Sequence, residues 1–275
     1  MLVALTLGSW KVMNISRGFQ LSLSLMLLLG CTHGCPNADA EEYRQADVQA
    51  AIKELSSEDQ WARKSAGFHL SEMGPVAKDA VPSLTNVLLS DNFAGAKGEA
   101  SNALGHIGPA AAPAIPALIA FLRSADGGYE RTYAASALGA IAGKPELCVP
   151  ALIEAVQNDS EPVVRQLAAR ALGDFGTEAK AAVPVLIESI KNGDRGMREA
   201  AANGLERIPC TAKDVPALTA LLGDEIDSAR IAAAKSIAGA GSEAVAAVPK
   251  LRELLADSNP SVRAAAAVAI AKINQ

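Results

Sequence analysis

Seven times along the chain a basic residue is followed by alanine three positions later and by Leu or Ile seven positions later. The set is Arg63-Ala66-Leu70, Lys97-Ala100-Leu104, Arg131-Ala134-Leu138, Arg165-Ala168-Leu172, Arg198-Ala201-Leu205, Arg230-Ala233-Ile237 and Arg263-Ala266-Ile270. The basic residues are spaced 34, 34, 34, 33, 32 and 33 apart. A period of this size is the mark of a stack of small helical units that bury their apolar faces against one another, not of a single core. β-branched alternating runs are almost absent, so no sheet is expected. Each unit reads as two helices, giving an all-α solenoid of about seven helix pairs over residues 41–275.

Residues 149–182 show how one unit is built. Val149-Pro150 opens a first helix, with proline in the first turn where its missing N–H costs nothing. Leu152, Ile153 and Val156 form its apolar stripe. Asn158-Asp159-Ser160 stops it and offers a cap to the second helix, Val163 to Phe175, which ends at Gly176. Prolines recur in the same slot at positions 82, 116, 184, 216 and 249. The first repeat starts near Asp47. In every second helix the alanine and the leucine share one face, where neighbouring helices approach within about 8–10 Å.

An aspartate precedes each basic residue by four to six positions: Asp59, Asp91, Asp126, Asp159, Asp194, Asp224 and Asp257. Pro-x-Leu, Asp, Val-Arg and Ala-x-x-Ala-Leu-Gly together resemble the HEAT-repeat family, in particular its bacterial short-repeat branch, over roughly residues 47–275. The resemblance implies a right-handed α-solenoid with first helices convex and second helices concave. It also implies an Asp–Arg ladder between adjacent repeats. Lys97 stands where arginine is usual, so that rung loses a bidentate fork. Glu206 and Pro209 replace the glycine-containing end of the fifth second helix. A local irregularity is expected there, with a trimmed loop to account for the 32-residue spacing.

Residues 1–40 lie outside the repeat and read as an export signal with a short linker. Arg17 precedes an apolar run, residues 21–30, that is too short to span a bilayer. Two cleavage readings compete. Leu28-Leu29-Gly30-Cys31 resembles a lipobox that would place a lipid on Cys31, and Ala38-Asp39-Ala40 is an A-x-A site. Either reading expects an exported protein of the cell envelope or periplasm, touching membrane only through a lipid anchor in the first case. Cys31 and Cys35 bracket His33 without a second ligand cluster, so no metal is expected. Cys148 and Cys210, placed in inter-repeat loops, read as small buried apolar residues, not a disulfide.

Because the recurring positions are explained by packing, specific recognition must come from positions that vary. Residues two, five and nine after each basic residue are expected to point away from the packing stripe. They nominate Phe68, His106, Tyr133, Leu167, Arg170 and Arg207 as a concave-face, partner-binding set. The net charge is −5 and no basic block occurs, which disfavours nucleic acid. No phosphate loop, nucleophile elbow or Cys-x-x-Cys pair appears, and three histidines are too scattered for a metal centre. No enzymatic activity and no cofactor are expected. The sequence therefore reads as a non-catalytic scaffold for a protein or peptide. The alternatives are a bilin-lyase-like HEAT-repeat protein, whose intracellular role conflicts with export, and a HEAT-like DNA glycosylase, which the acidic balance opposes.

Overall fold

The computed structural model describes residues 37–275, so most of the segment expected to be an export signal, Cys31 included, lies outside the described part. The chain divides into residues 1–43 and a unit from Arg44 to Gln275, and the solenoid is the second unit. Among the described residues there are fourteen α-helices and no strand. They form seven consecutive pairs: α1 (Asn37–Glu54) with α2 (Gln60–Met73), α3 (Val81–Ser90) with α4 (Ala94–Ile107), and α5 (Ile115–Leu122) with α6 (Arg131–Ile141). Then come α7 (Pro145–Asn158) with α8 (Pro162–Asp174), α9 (Val183–Asn192) with α10 (Arg195–Leu205), α11 (Val215–Leu221) with α12 (Asp227–Ala238), and α13 (Val248–Glu253) with α14 (Pro260–Ile273). The second helices pack closely on one another along the stack, while successive first helices touch more sparsely. The second helices thus form the more tightly packed of the two layers.

The connectors explain the regularity. Four of them are seven-residue 3-10 segments, residues 74–80, 108–114, 176–182 and 241–247. Each starts at a glycine with positive φ, eleven residues after the basic residue: Gly74, Gly108, Gly176 and Gly241. Each buries two alanines completely, Ala77 with Ala80, Ala111 with Ala114, Ala179 with Ala182, and Ala244 with Ala247. The third repeat has Ala142 in the glycine position, and it still adopts the left-handed conformation at φ 48°. Its connector is replaced by helix: α7 begins at Pro145, so Pro150 lies inside the helix and does not open it. Cys148 is thus a helical residue, fully buried in the slot that Ala80, Ala114, Ala182 and Ala247 fill elsewhere. Its thiol donates to the Gly143 carbonyl at 3.2 Å.

The fifth repeat shows the irregularity expected from Glu206 and Pro209. Proline cannot take positive φ, and the 3-10 connector shrinks to Ala212–Asp214. The loop is instead tied to α12: the Ser236 hydroxyl donates to the Ile208 carbonyl at 2.8 Å, and the Cys210 N–H donates to the Ser236 carbonyl at 3.2 Å. Pro209 presses so close to α12 that a β-carbon on Gly239 would fall 2.3 Å from its own. Buried Asp214 takes the alanine slot before Val215, satisfied by the Thr211 hydroxyl at 2.6 Å and the Thr211 N–H at 3.1 Å.

Two devices join second helix to second helix. The first is a seam of very small residues. A β-carbon on Gly105 would lie 3.1 Å from the α-carbon of Ala137, one on Gly139 3.1 Å from that of Ala171, and one on Gly173 3.0 Å from that of Gly204. Each of these glycines stands eight residues after its basic residue and meets the position six after the next.

The second device is the ladder, whose register the structure decides. Arg63 forks onto Asp91 (Nε–Oδ2 2.6 Å, Nη2–Oδ1 2.7 Å), Arg131 onto Asp159 (3.1 and 2.8 Å) and Arg230 onto Asp257 (2.9 and 3.1 Å). Arg198 reaches both oxygens of Asp224 through Nη2, at 2.8 and 3.0 Å. In these four rungs the aspartate stands six residues before its own basic residue, just past the first helix. There it also accepts the N–H two residues on, from Phe93, Glu161, Ile226 and Asn259. Asp126 is one residue out of register and meets Lys97 through a single 3.4 Å contact. The ladder implied for every repeat is broken at the next step: Arg165 makes no ion pair with Asp194 among the described residues. It holds the Asp159 and Ser160 carbonyls, and Asp194 caps the Met197 N–H at 2.8 Å. In that repeat α9 has the same ten residues as α3, but the extended slot just past it, filled by Asp91 after α3, falls on Gly193, where a β-carbon would meet the Ser189 carbonyl at 2.5 Å, and Asp194 comes one residue too late.

Candidate functional site

With the repeat positions fixed by packing, the second helices offer their remaining face. Five residues after each basic residue stand Phe68, Asn102, Ser136, Arg170, Asn203, Lys235 and Val268, all exposed except half-buried Asn102. Nine after it stand Glu72, His106, Ala140, Asp174, Arg207, Gly239 and Lys272, all exposed. These two columns run the length of the stack, and their chemistry changes from repeat to repeat.

The column two after the basic residue does not belong with them. Ser65 is exposed, but Glu99, Tyr133 and Leu167 are half-buried, and Ala200, Ala232 and Ala265 are buried. That position rotates into the helix–helix seam, so Leu167 packs against the core instead of facing outward. Phe68, His106, Arg170 and Arg207 therefore lie on the exposed columns, whereas Tyr133 sits at their edge and Leu167 behind them.

The basic residues on these columns in the later repeats are partly neutralised. Arg207 pairs with Asp174 at 2.5 Å, and Lys235 pairs with Glu206, each across a repeat boundary. Arg170 and Lys272 make no ion pair among the described residues.

Counting onward from the basic residues missed a group of aromatics at and before the N-terminal ends of the second helices. Trp61 is 60% exposed and meets Phe93 edge-on, with ring centroids 5.0 Å apart. Lys64 lies over the Trp61 ring at 5.8 Å. Tyr129 is 62% exposed and meets Tyr133 edge-on at 6.4 Å. Burial, and then the Glu99 carboxylate, holds the Tyr133 phenol above its ordinary pKa. The sequence carried a signal for this rim: no Phe, Trp or Tyr occurs after Phe175. Among the described residues no group of three His, Cys, Asp or Glu side chains is placed to hold a metal ion. Residues 94–122 are long and apolar enough to cross a membrane by length and composition. They are α4, a 3-10 turn and α5, packed within the solenoid.

The family model described as HEAT repeats matches residues 48–139 and 149–238, more than half of the chain. The chain belongs to the HEAT-repeat family. A second HEAT-repeat model matches residues 247–275, and the model for the PBS lyase HEAT-like repeat matches residues 130–158. The gap in the first match, 140–148, coincides with the connector where Ala142 and Pro145 depart from the HEAT-repeat pattern. A comparison with curated proteins gives no match. Among solved structures, the engineered protein of Northeast Structural Genomics Consortium target OR497 is similar at TM-score 0.61 and 24% identity, over 86% of this chain and 71% of that one. The consortium's engineered target OR329 is similar at TM-score 0.53 and 23% identity, over 83% and 96%. A designed armadillo repeat protein is similar at TM-score 0.50 and 20% identity, over 82% and 100%. These likenesses establish an all-α repeat solenoid and extend no further than the fold.

Proposed function

We propose that this HEAT-repeat chain is a non-catalytic scaffold that binds a protein or peptide along the exposed face of its second helices. The observation that carries the reading is the division of labour within each repeat. The recurring residues are packed in the core, paired in the ladder or, as with Arg165 and Arg263, bonded to backbone carbonyls, and the two exposed columns vary on a framework that holds them at fixed spacing. Aromatic side chains and arginine at such positions are the usual anchors of protein interfaces. Nucleic acid is a poorer fit, because the net charge is −5 and two of the basic residues on this face are already paired.

Photo-crosslinking tests the face. A crosslinker at Ser136, on the second-helix column, should give a partner adduct in the native host. One at Leu89, exposed on the first helix α3, should not. Equal adducts from both sites would sink the assignment. With the partner in hand, Tyr133→Ala combined with Arg170→Ala should weaken binding while the helical melt barely moves.

The same reading places the scaffold in the cell envelope, anchored through lipid on Cys31 or released after Ala40. Mass spectrometry of the membrane fraction separates the two, since a mature chain beginning at Glu41 excludes the anchor. A bilin-lyase-like role has the match at residues 130–158 in its favour. That match identifies a repeat type over α6 and α7 alone, the second helix of one pair and the first helix of the next. Incubation with a bilin, read by absorbance of a covalent adduct, tests it.

A further inference from the structure

The aromatic rim and the acids around it form a local site in the first four repeats. Glu130 and Tyr133 both lie over Gly98 of α4, where a β-carbon would meet the Glu130 side chain at 3.1 Å and the Tyr133 ring at 3.2 Å. The Glu99 backbone and β-carbon crowd Gly67 on the other side, and Glu99 lies close enough to Tyr133 to act on its phenol. Glu161 reaches back over the preceding turn, its Oε1 3.1 Å from where Gly128 would carry a β-carbon. Glu99, Glu130 and Glu161 make no ion pair among the described residues. The neighbouring cations are committed: Lys97 to Asp126, Arg131 to Asp159, and Arg165 to the carbonyls of residues 159 and 160. Carboxylates outnumber cations here, in contrast to the paired charges of repeats five and six.

The rim also shows what its rings accept. Lys64 of the chain itself sits over Trp61. Tyr129, more exposed still and flanked by Glu130 and Glu161, has no lysine or arginine over its ring among the described residues. Ring faces attract cations, and adjacent carboxylates strengthen the attraction. We infer that the rim around Tyr129, Tyr133, Glu99, Glu130 and Glu161 takes a lysine- or arginine-bearing segment of the partner, with a cationic side chain on the Tyr129 ring and its charge met by Glu130 and Glu161. This rests on the scaffold reading and specifies the partner's chemistry.

The test is a titration of the full chain with a fluorescein-labelled peptide of alternating serine and arginine, read by anisotropy at low salt. The same peptide with citrulline at each arginine is the neutral comparison. The arginine peptide should bind about tenfold more tightly. Tyr129→Ala should weaken it about two- to fivefold, the range of an exposed cation–π contact. Glu130→Gln with Glu161→Gln should weaken it about five- to tenfold. The control pair Glu146→Gln with Glu188→Gln, which removes the same charge from first helices, should leave it within about twofold. Equal binding of the two peptides, or an equal loss in the control pair, overturns the inference. A failed titration beside positive crosslinks from Ser136 overturns this inference alone; discrimination between the peptides without such crosslinks supports it and removes the wider face.

Discussion

Arg131 and Asp159 lie 28 residues apart and are joined by two parallel hydrogen bonds, Nε to Oδ2 at 3.1 Å and Nη2 to Oδ1 at 2.8 Å. Both side chains are almost fully buried, at 6% and 5% exposure. The same arginine donates to the carbonyl of Asp126 in its own turn, and the same aspartate accepts the Glu161 N–H. One pair thus closes two turns and one repeat boundary.

Removing one partner of this buried pair leaves an unmatched charge. Asp159→Asn should cost about 3–5 kcal/mol, read as a shift in the urea midpoint. Asp126→Asn should cost no more than about 1 kcal/mol, because Asp126 is two-thirds exposed and the contact is single. Similar losses in the two variants would refute the register argument.

The small-residue seam makes a steric prediction. A β-carbon on Gly204 would lie 2.0 Å from the Ala169 carbonyl, and backbone cannot yield as a side-chain tip can. Gly204→Ala should cost about 3 kcal/mol, the upper end for overpacking. Gly223→Ala, whose nearest neighbour would be 3.8 Å away, should change stability by under about 0.5 kcal/mol. Circular-dichroism melts of the two variants check this.

Ala142 offers a stabilising change. It occupies the left-handed position that four other repeats give to glycine, at a cost of about 1–2 kcal/mol. Ala142→Gly relieves that cost and gives back about 0.4–1 kcal/mol in unfolded-chain entropy. A net gain of about 0.5–1 kcal/mol is expected, and a lower melting temperature would contradict it.

The ladder also sets the acid limit. Hydrogen bonding from Arg63, opposed in part by burial, holds the Asp91 carboxyl below its ordinary pKa. A carboxyl depressed in the folded state stabilises the fold above its unfolded pKa of about 3.9. The contribution is lost as pH falls through the folded value. Stability should therefore drop below about pH 4, and Asp91→Asn should be less stable at neutral pH with a shallower acid limb. An unchanged acid limb would show that other carboxyls set it.

The two described cysteines report unfolding. Burial pushes both thiols up to about 11. Neither Cys148 nor Cys210 should react with maleimide at neutral pH until the solenoid opens, so labelling should track the denaturation curve.

Much of this protein was legible as a ruler. The 34-residue period, the prolines and the alanine–leucine pairs set the number of helix pairs, and Glu206 and Pro209 announced the altered fifth connector. The site was less legible. Counting from the basic residue placed Phe68, His106, Arg170 and Arg207 on the exposed columns. It also put Tyr133 and Leu167 there, because helical periodicity gives an angle but not how closely the next helix approaches. Trp61 and Tyr129 escaped because both stand two residues before the basic residue, and only positions after it were counted.

The sequence by itself determined the repeat, since periodic apolar and small residues leave a chain no way to bury its surface except by stacking like units. Only the tertiary structure decided which aspartates complete the ladder, because a fork of two hydrogen bonds fails when its partner moves by one residue. It likewise decided which aromatics share a rim with which acids, a juxtaposition made by residues about 30 apart that no local pattern encodes.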